Sequence, residues 1–111
     1  MESTTTTPLK VAAFPIGFFT YTVNGVTPLV EFDGQGGATA TLDGEVIVRA
    51  SYKVTGDKVE IVDVEGSYAY PEGGTGKYKW TLNDEVLTFT LIEDQNPARR
   101  KGFAQPFIMQ K

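Results

Sequence analysis

The chain of 111 residues contains no cysteine and no histidine. These two absences exclude Cys-based zinc sites, imidazole-ligated metals, iron–sulfur clusters, thiol nucleophiles and any Ser-His-Asp triad. Neither a metal nor a cofactor is expected. A disulfide framework is excluded as well, so a packed core must hold the fold, and cysteine usage is silent on redox compartment. Basic residues are also scarce. Ten Lys and Arg stand against fourteen Asp and Glu, a net charge of −4, whereas a nucleic-acid partner calls for a basic face. Apolar runs are far too short for a membrane span, so no membrane partner is expected. The opening Met1-Glu2-Ser3-Thr4-Thr5-Thr6-Thr7-Pro8 lacks the basic start and apolar stretch of a secretion signal. It reads as the start of a cytoplasmic protein, with residues 1–9 a disordered lead-in and residues 10–111 a single domain.

What the chain does have is β-forming material. Eleven Val, five Ile and fourteen Thr stand against six Leu and eight Ala, with five Tyr and seven Phe besides. Branched and aromatic side chains fit a pleated, half-buried surface, and straight-chain helix formers are few. Turn chemistry recurs at short intervals: Asn24-Gly25, Asp33-Gly34 with Gly36-Gly37, Asp43-Gly44, Gly56-Asp57, Glu65-Gly66, Gly73-Gly74 and Asn83-Asp84. Asn-Gly and Asp-Gly supply the positive φ that tight hairpin turns need. Strand-length runs lie between them: 16–23, 27–32, 38–42, 45–54, 58–64, 68–70, 76–82, 86–92 and 102–109. Connections this short leave no room for crossover helices. At most a short turn is expected near Asn96–Arg100.

Alternation identifies the faces. Val46, Val48, Ala50, Tyr52 and Val54 share one side of their run, opposite Glu45, Ile47, Arg49, Ser51 and Lys53. Tyr78, Trp80 and Leu82 alternate with Lys77, Lys79 and Thr81, and Leu87, Phe89 and Leu91 with Val86, Thr88 and Thr90. Each run has one apolar and one mainly polar face, as in antiparallel sheets with one side in water. A meander of about eight such strands leaves two exposed edges, and closure removes them. The expected fold is an all-β, antiparallel up-and-down barrel. A two-sheet sandwich is the alternative.

Several fragments occur in an order that resembles a small bacterial lipocalin-like family. They are Tyr52-Lys53-Val54-Thr55-Gly56-Asp57-Lys58-Val59-Glu60-Ile61, Gly76-Lys77-Tyr78-Lys79-Trp80-Thr81-Leu82, Leu87-Thr88-Phe89, and Asp94-Gln95-Asn96-Pro97-Ala98-Arg99. The family reads Y-x-V-x-G-D-x-I, G-x-Y-x-W-x-L, L-T-F and D-x-C-x-x-R. Asn96 stands where the family often has Cys, and Phe19 in Gly17-Phe18-Phe19 stands where lipocalins place a Trp. The resemblance implies a calycin-type barrel whose interior holds a small apolar ligand.

The candidate ligand-binding residues are Tyr21, Tyr52, Tyr78, Trp80, Phe89 and Arg99. Aromatics supply apolar area, while phenol hydroxyls and the indole N–H add oriented polar contacts. An eight-stranded barrel is just wide enough either to be filled by side chains or to hold one small ligand, and both outcomes are open at this point. Arg99, Arg100 and Lys101 form the basic cluster. One reading has an Arg closing the barrel or meeting an anionic ligand through its planar fork. The plainer one lays the Arg99 stem over a core aromatic and leaves Arg100 and Lys101 in water. Asp63 continues the Val59 and Ile61 face, and an inward carboxylate in apolar surroundings suits proton transfer. Glu31 is inward only if the Leu29 face is. These two are the catalytic candidates. Gly73-Gly74-Thr75-Gly76 has no following helix or Lys-Ser/Thr and reads as a hairpin loop rather than a phosphate site.

Three function classes follow. The first is a barrel binding a small apolar or aromatic molecule, the second a cofactor-free enzyme using Tyr or a carboxylate in the same pocket. The third is a structural or self-associating domain with a filled core. The first is preferred. The oligomeric state is not readable from the sequence.

Overall fold

Left-handed residues mark where the chain reverses. In the computed structural model, which describes residues 13–110, Asp43 and Asp84 adopt φ of 53° and 56°. The expected lead-in lies outside the described residues. Eight strands result: β1 (Gly17–Thr20), β2 (Leu29–Phe32), β3 (Gly37–Leu42), β4 (Glu45–Thr55), β5 (Lys58–Glu65), β6 (Thr75–Asn83), β7 (Val86–Glu93) and β8 (Phe107–Met109). Each pairs antiparallel with the next. β8 pairs with β1 through Phe19–Met109 and Thr20–Ile108, so the sheet closes into an up-and-down barrel. Among the described residues every strand of this closed array therefore has a neighbour on both sides. Among the described residues, no helix is long and apolar enough to cross a membrane.

Local details depart from the sequence expectations in several places, among them the run 102–109, which forms strand only over Phe107–Met109. The run 16–23 forms strand only over Gly17–Thr20, and Val23 bridges back to Val26 around Asn24-Gly25. The run 68–70 is not a strand but a loop entering a 3₁₀ turn at Pro71–Gly73. The short turn expected near Asn96–Arg100 is instead a seven-residue helix, α1 (Pro97–Phe103). Its start is well specified. Pro97 occupies the first turn, where a missing N–H costs nothing, and the Asn96 side chain accepts the Arg99 N–H at 3.2 Å. Arg100 and Lys101 in its last turn complement the helix dipole.

Three β-bulges break the alternation. They fall at Ile47, where Ala40 faces Val48 but Thr41 faces Val46; at Val64; and at Ile92, where Tyr78 faces Leu91 but Lys77 faces Glu93. One extra residue reverses inside and outside beyond the bulge. Ile47, expected on the polar face, is therefore buried; Leu91, expected inward, pairs with the buried Tyr78 at the edge of the Ile92 bulge and is 51% exposed. Past Ile92, Asp94 turns into the barrel and is buried.

The barrel's two ends are built differently. At the end carrying the 33–37, 56–57 and 84–85 turns, the Phe14 ring sits 5.1 Å from Phe32, 5.4 Å from Tyr52 and 5.1 Å from Trp80. Such edge-on and tilted pairs each add about 0.5–1.5 kcal/mol beyond area burial. Trp80 is 5% exposed and its indole N–H donates to the Gly56 carbonyl at 3.0 Å. This half is solid. The other end carries the 21–28 loop, the Asp43-Gly44 turn, the 66–74 loop and α1.

Candidate functional site

Small side chains open the interior at the helix end. Ala38 and Ala40 on β3 and Ala50 on β4 project little volume toward the axis, and the space they leave is a cavity of about 460 Å³. That size lies within the usual range of about 300–1,000 Å³ for small-molecule sites. Its walls are mainly apolar, with Val30, Ile61, Phe103 and Phe107 beside the alanines in the lining, and the 21–28 loop and α1 frame its mouth. Tyr21 stacks on Phe107 with ring centroids 4.6 Å apart and planes 10° from parallel. The Tyr21 ring lies close on Gly102 of α1, where an added Cβ would come within 3.0 Å of it. Among the described residues the Tyr21 hydroxyl has no hydrogen-bond partner in the protein. Burial, and secondarily the nearby Asp63 charge, hold its pKa above the ordinary phenol value.

Asp63, Asn96 and Arg99 supply the polar part of the wall, and they belong to a buried network. Arg99 donates from Nε to Asp94 Oδ2 at 2.7 Å, from Nη2 to Asp94 Oδ1 at 2.8 Å, from Nη1 to Asp63 Oδ1 at 3.1 Å, and from Nη2 to the Gly74 carbonyl at 3.0 Å. Asp63 Oδ2 accepts the Tyr70 N–H at 2.9 Å and the Asn96 side-chain amide at 3.2 Å. Asp94 accepts the Asn96 N–H at 2.9 Å and also the Tyr78 hydroxyl. The two-point grip of Arg99 on Asp94 is the geometry a planar guanidinium fits best. Space for it is made by Gly76, where a Cβ would lie 2.5 Å from Asp94 Oδ2.

The network fixes its own charge states. Burial pushes the Asp94 carboxyl up, but the Arg99 side chain, the Tyr78 hydroxyl and the Asn96 N–H outweigh it and leave the pKa below the ordinary value. For Arg99, burial lowers the pKa and the two carboxylates more than restore it. Tyr78 is held protonated, by burial first and by its bond to Asp94 second. Two carboxylates around one guanidinium carry a net charge of −1.

Of the ligand residues expected from the sequence, Tyr21 and Arg99 line the cavity. Tyr52, Trp80 and Phe89 do not: they pack with Phe14 in the solid half. Tyr78 is fully buried between Phe89 and Phe103 and spends its hydroxyl on Asp94. Arg99 offers no free fork to a ligand, because both its edges are committed to Asp94 and Asp63. Asp63 points inward as expected, but each of its oxygens already accepts a hydrogen bond. Glu31 lies on the outer, exposed face. Sequence reading missed Phe103, Phe107, Asn96 and the alanines of β3 and β4. The one available signal was the small-residue alternation Ala38, Ala40, Leu42, which marks where the inner face lacks bulk.

No protein-family model, curated protein or solved structure matches the chain.

Proposed function

We propose that the protein binds a small apolar or aromatic molecule in the open half of its barrel. The observation that carries this reading is the cavity of about 460 Å³, walled by aliphatic and aromatic side chains and edged by a few fixed polar groups. A domain whose interior served only as a core would be packed to crystal-like density with few voids larger than a water. The lipocalin-like order of sequence fragments supports the same reading, since that architecture stores ligands inside the barrel. The buried network supports it in a second way, because it braces β5, β6 and α1 around the mouth independently of any ligand.

The test is titration with N-phenyl-1-naphthylamine, a neutral dye that brightens in apolar surroundings. One-to-one binding is expected in the wild type. Ala40→Phe places a ring in the cavity while adding to the apolar core, so it should abolish dye binding and leave the far-ultraviolet circular dichroism unchanged. Dye binding that persists in Ala40→Phe places the site elsewhere and overturns the proposal, as does failure of the wild type to bind at high micromolar dye.

A further inference from the structure

The polar groups of the cavity say what charge its occupant carries. Arg99, the natural anchor for a carboxylate or sulfonate, has no edge to offer: Nε and Nη2 face Asp94, and Nη1 bonds Asp63. The charged groups at this wall are Asp63 and Arg99, and the guanidinium is already paired with Asp63 and with Asp94 behind it, in a cluster that is net negative. An anionic ligand placed there would meet like charge in a low-dielectric space and would lose its hydration without gaining a counterion. Lys101 also lines the cavity but is exposed, so water and salt screen its attraction. Against this, the Tyr21 hydroxyl is a cavity-lining polar group with no protein partner among the described residues, carried on a ring fixed by stacking on Phe107. Such a hydroxyl sits ready to donate.

Resting on the cavity-binding reading, we infer that the barrel selects uncharged aromatic molecules bearing a hydrogen-bond acceptor, such as a ketone or ether oxygen, which takes the Tyr21 hydroxyl proton, and that it rejects organic anions. The aromatic preference comes from Tyr21, Phe103 and Phe107, which present ring faces and edges to the cavity. Aromatic rings gain from offset and edge-on contact with such walls beyond what area alone provides.

Two matched pairs of probes test this. N-phenyl-1-naphthylamine and 8-anilinonaphthalene-1-sulfonate share a skeleton and differ by one sulfonate, so the neutral dye is expected to bind at least about tenfold more tightly, as an uncompensated charge in a partly buried site demands. 2-Acetylnaphthalene and 2-ethylnaphthalene differ by the carbonyl oxygen. In dye displacement the ketone is expected to win by about two- to tenfold, the range for one neutral hydrogen bond, and Tyr21→Phe should erase that preference by weakening the ketone alone. Equal affinity for the two dyes, or a ketone preference that survives in Tyr21→Phe, overturns the inference while leaving cavity binding intact. Binding of none of the four probes overturns cavity binding itself, and the inference with it.

Discussion

Replacing Arg99 with methionine removes the centre of the buried network while keeping much of its volume. Four hydrogen bonds disappear: two to Asp94, one to Asp63 and one to the Gly74 carbonyl. The Arg99, Asp63 and Asp94 side chains are 5%, 7% and 0% exposed, so water cannot take the place of the guanidinium. Stranding one partner of a buried pair costs about 3–5 kcal/mol. Here two carboxylates are stranded, but Asp63 keeps the Tyr70 N–H and the Asn96 amide, and Asp94 keeps the Tyr78 hydroxyl and the Asn96 N–H. The expected loss is therefore about 3–5 kcal/mol and not twice that, a large fraction of the roughly 5–15 kcal/mol that holds a domain folded. Urea unfolding followed by Trp80 fluorescence measures it. The pH dependence gives an independent check. In the wild type the Asp94 pKa is depressed on folding, so its stabilisation is complete above the unfolded value of about 3.9 and fades as pH falls through the folded one. In Arg99→Met the largest influence holding the Asp94 pKa down is gone while its burial remains, so that carboxyl protonates at higher pH than in the wild type. The stability gap between the two proteins should therefore be widest near pH 7 and narrow toward about pH 4.5. A loss under about 1 kcal/mol, the scale of an exposed pair, or a gap independent of pH, refutes the reasoning.

Two further substitutions probe other parts of the fold. Trp80→Ala deletes an indole packed on Phe14 and bonded to the Gly56 carbonyl. It should cost about 3–5 kcal/mol in denaturant unfolding, and full retention of stability would mean that the indole does not pack the core. Gly76→Ala drives a Cβ to 2.5 Å from Asp94 Oδ2 and 2.9 Å from Arg99 Nε. A loss of about 2–3 kcal/mol is expected, and an unchanged thermal midpoint would show that the network has room to spare.

The barrel was legible where backbone chemistry is local. Asp43-Gly44, Gly56-Asp57 and Asn83-Asp84 each supply a left-handed residue to a tight turn, so the hairpins followed from dipeptides. Inner faces were legible wherever the ladder is regular, as for Val59, Ile61 and Asp63 or Tyr78 and Trp80. The bulges at Ile47, Val64 and Ile92 were not, because an inserted residue changes register without changing which residue types alternate. That is why Asp63, Asp94 and Arg99 each drew notice singly while their meeting did not. Asp94 faces inward only past the Ile92 bulge, and Arg99 reaches it only because α1 folds back across the barrel end. The cavity was misplaced for a related reason. Aromatics were expected to line it, but Tyr52, Trp80 and Phe89 fill the barrel with Phe14, and the space lies where Ala38, Ala40 and Ala50 contribute little volume. A pocket is defined by missing atoms, which residue types signal weakly.

The β1–β8 seam sets the rhythm of folding. It joins residues about ninety positions apart, with Gln110 reaching the Thr20 hydroxyl, and its ladder is only two residue pairs long. A closure of that span carries the loop entropy of most of the chain and is rewarded by few bonds, so the other staves assemble first and this one last. Until it forms, β1 and β8 stand with unpaired backbone, the state most open to pairing with another chain. Tyr21, just past β1, and Phe107, opening β8, stack on each other across this same seam. A molecule held against both rings touches the two sides of the last joint to close and the first to open. Its occupancy is then read in the clock as well as the balance: slower unfolding, and slower hydrogen exchange at Thr20 and Ile108, with the folding rate unchanged.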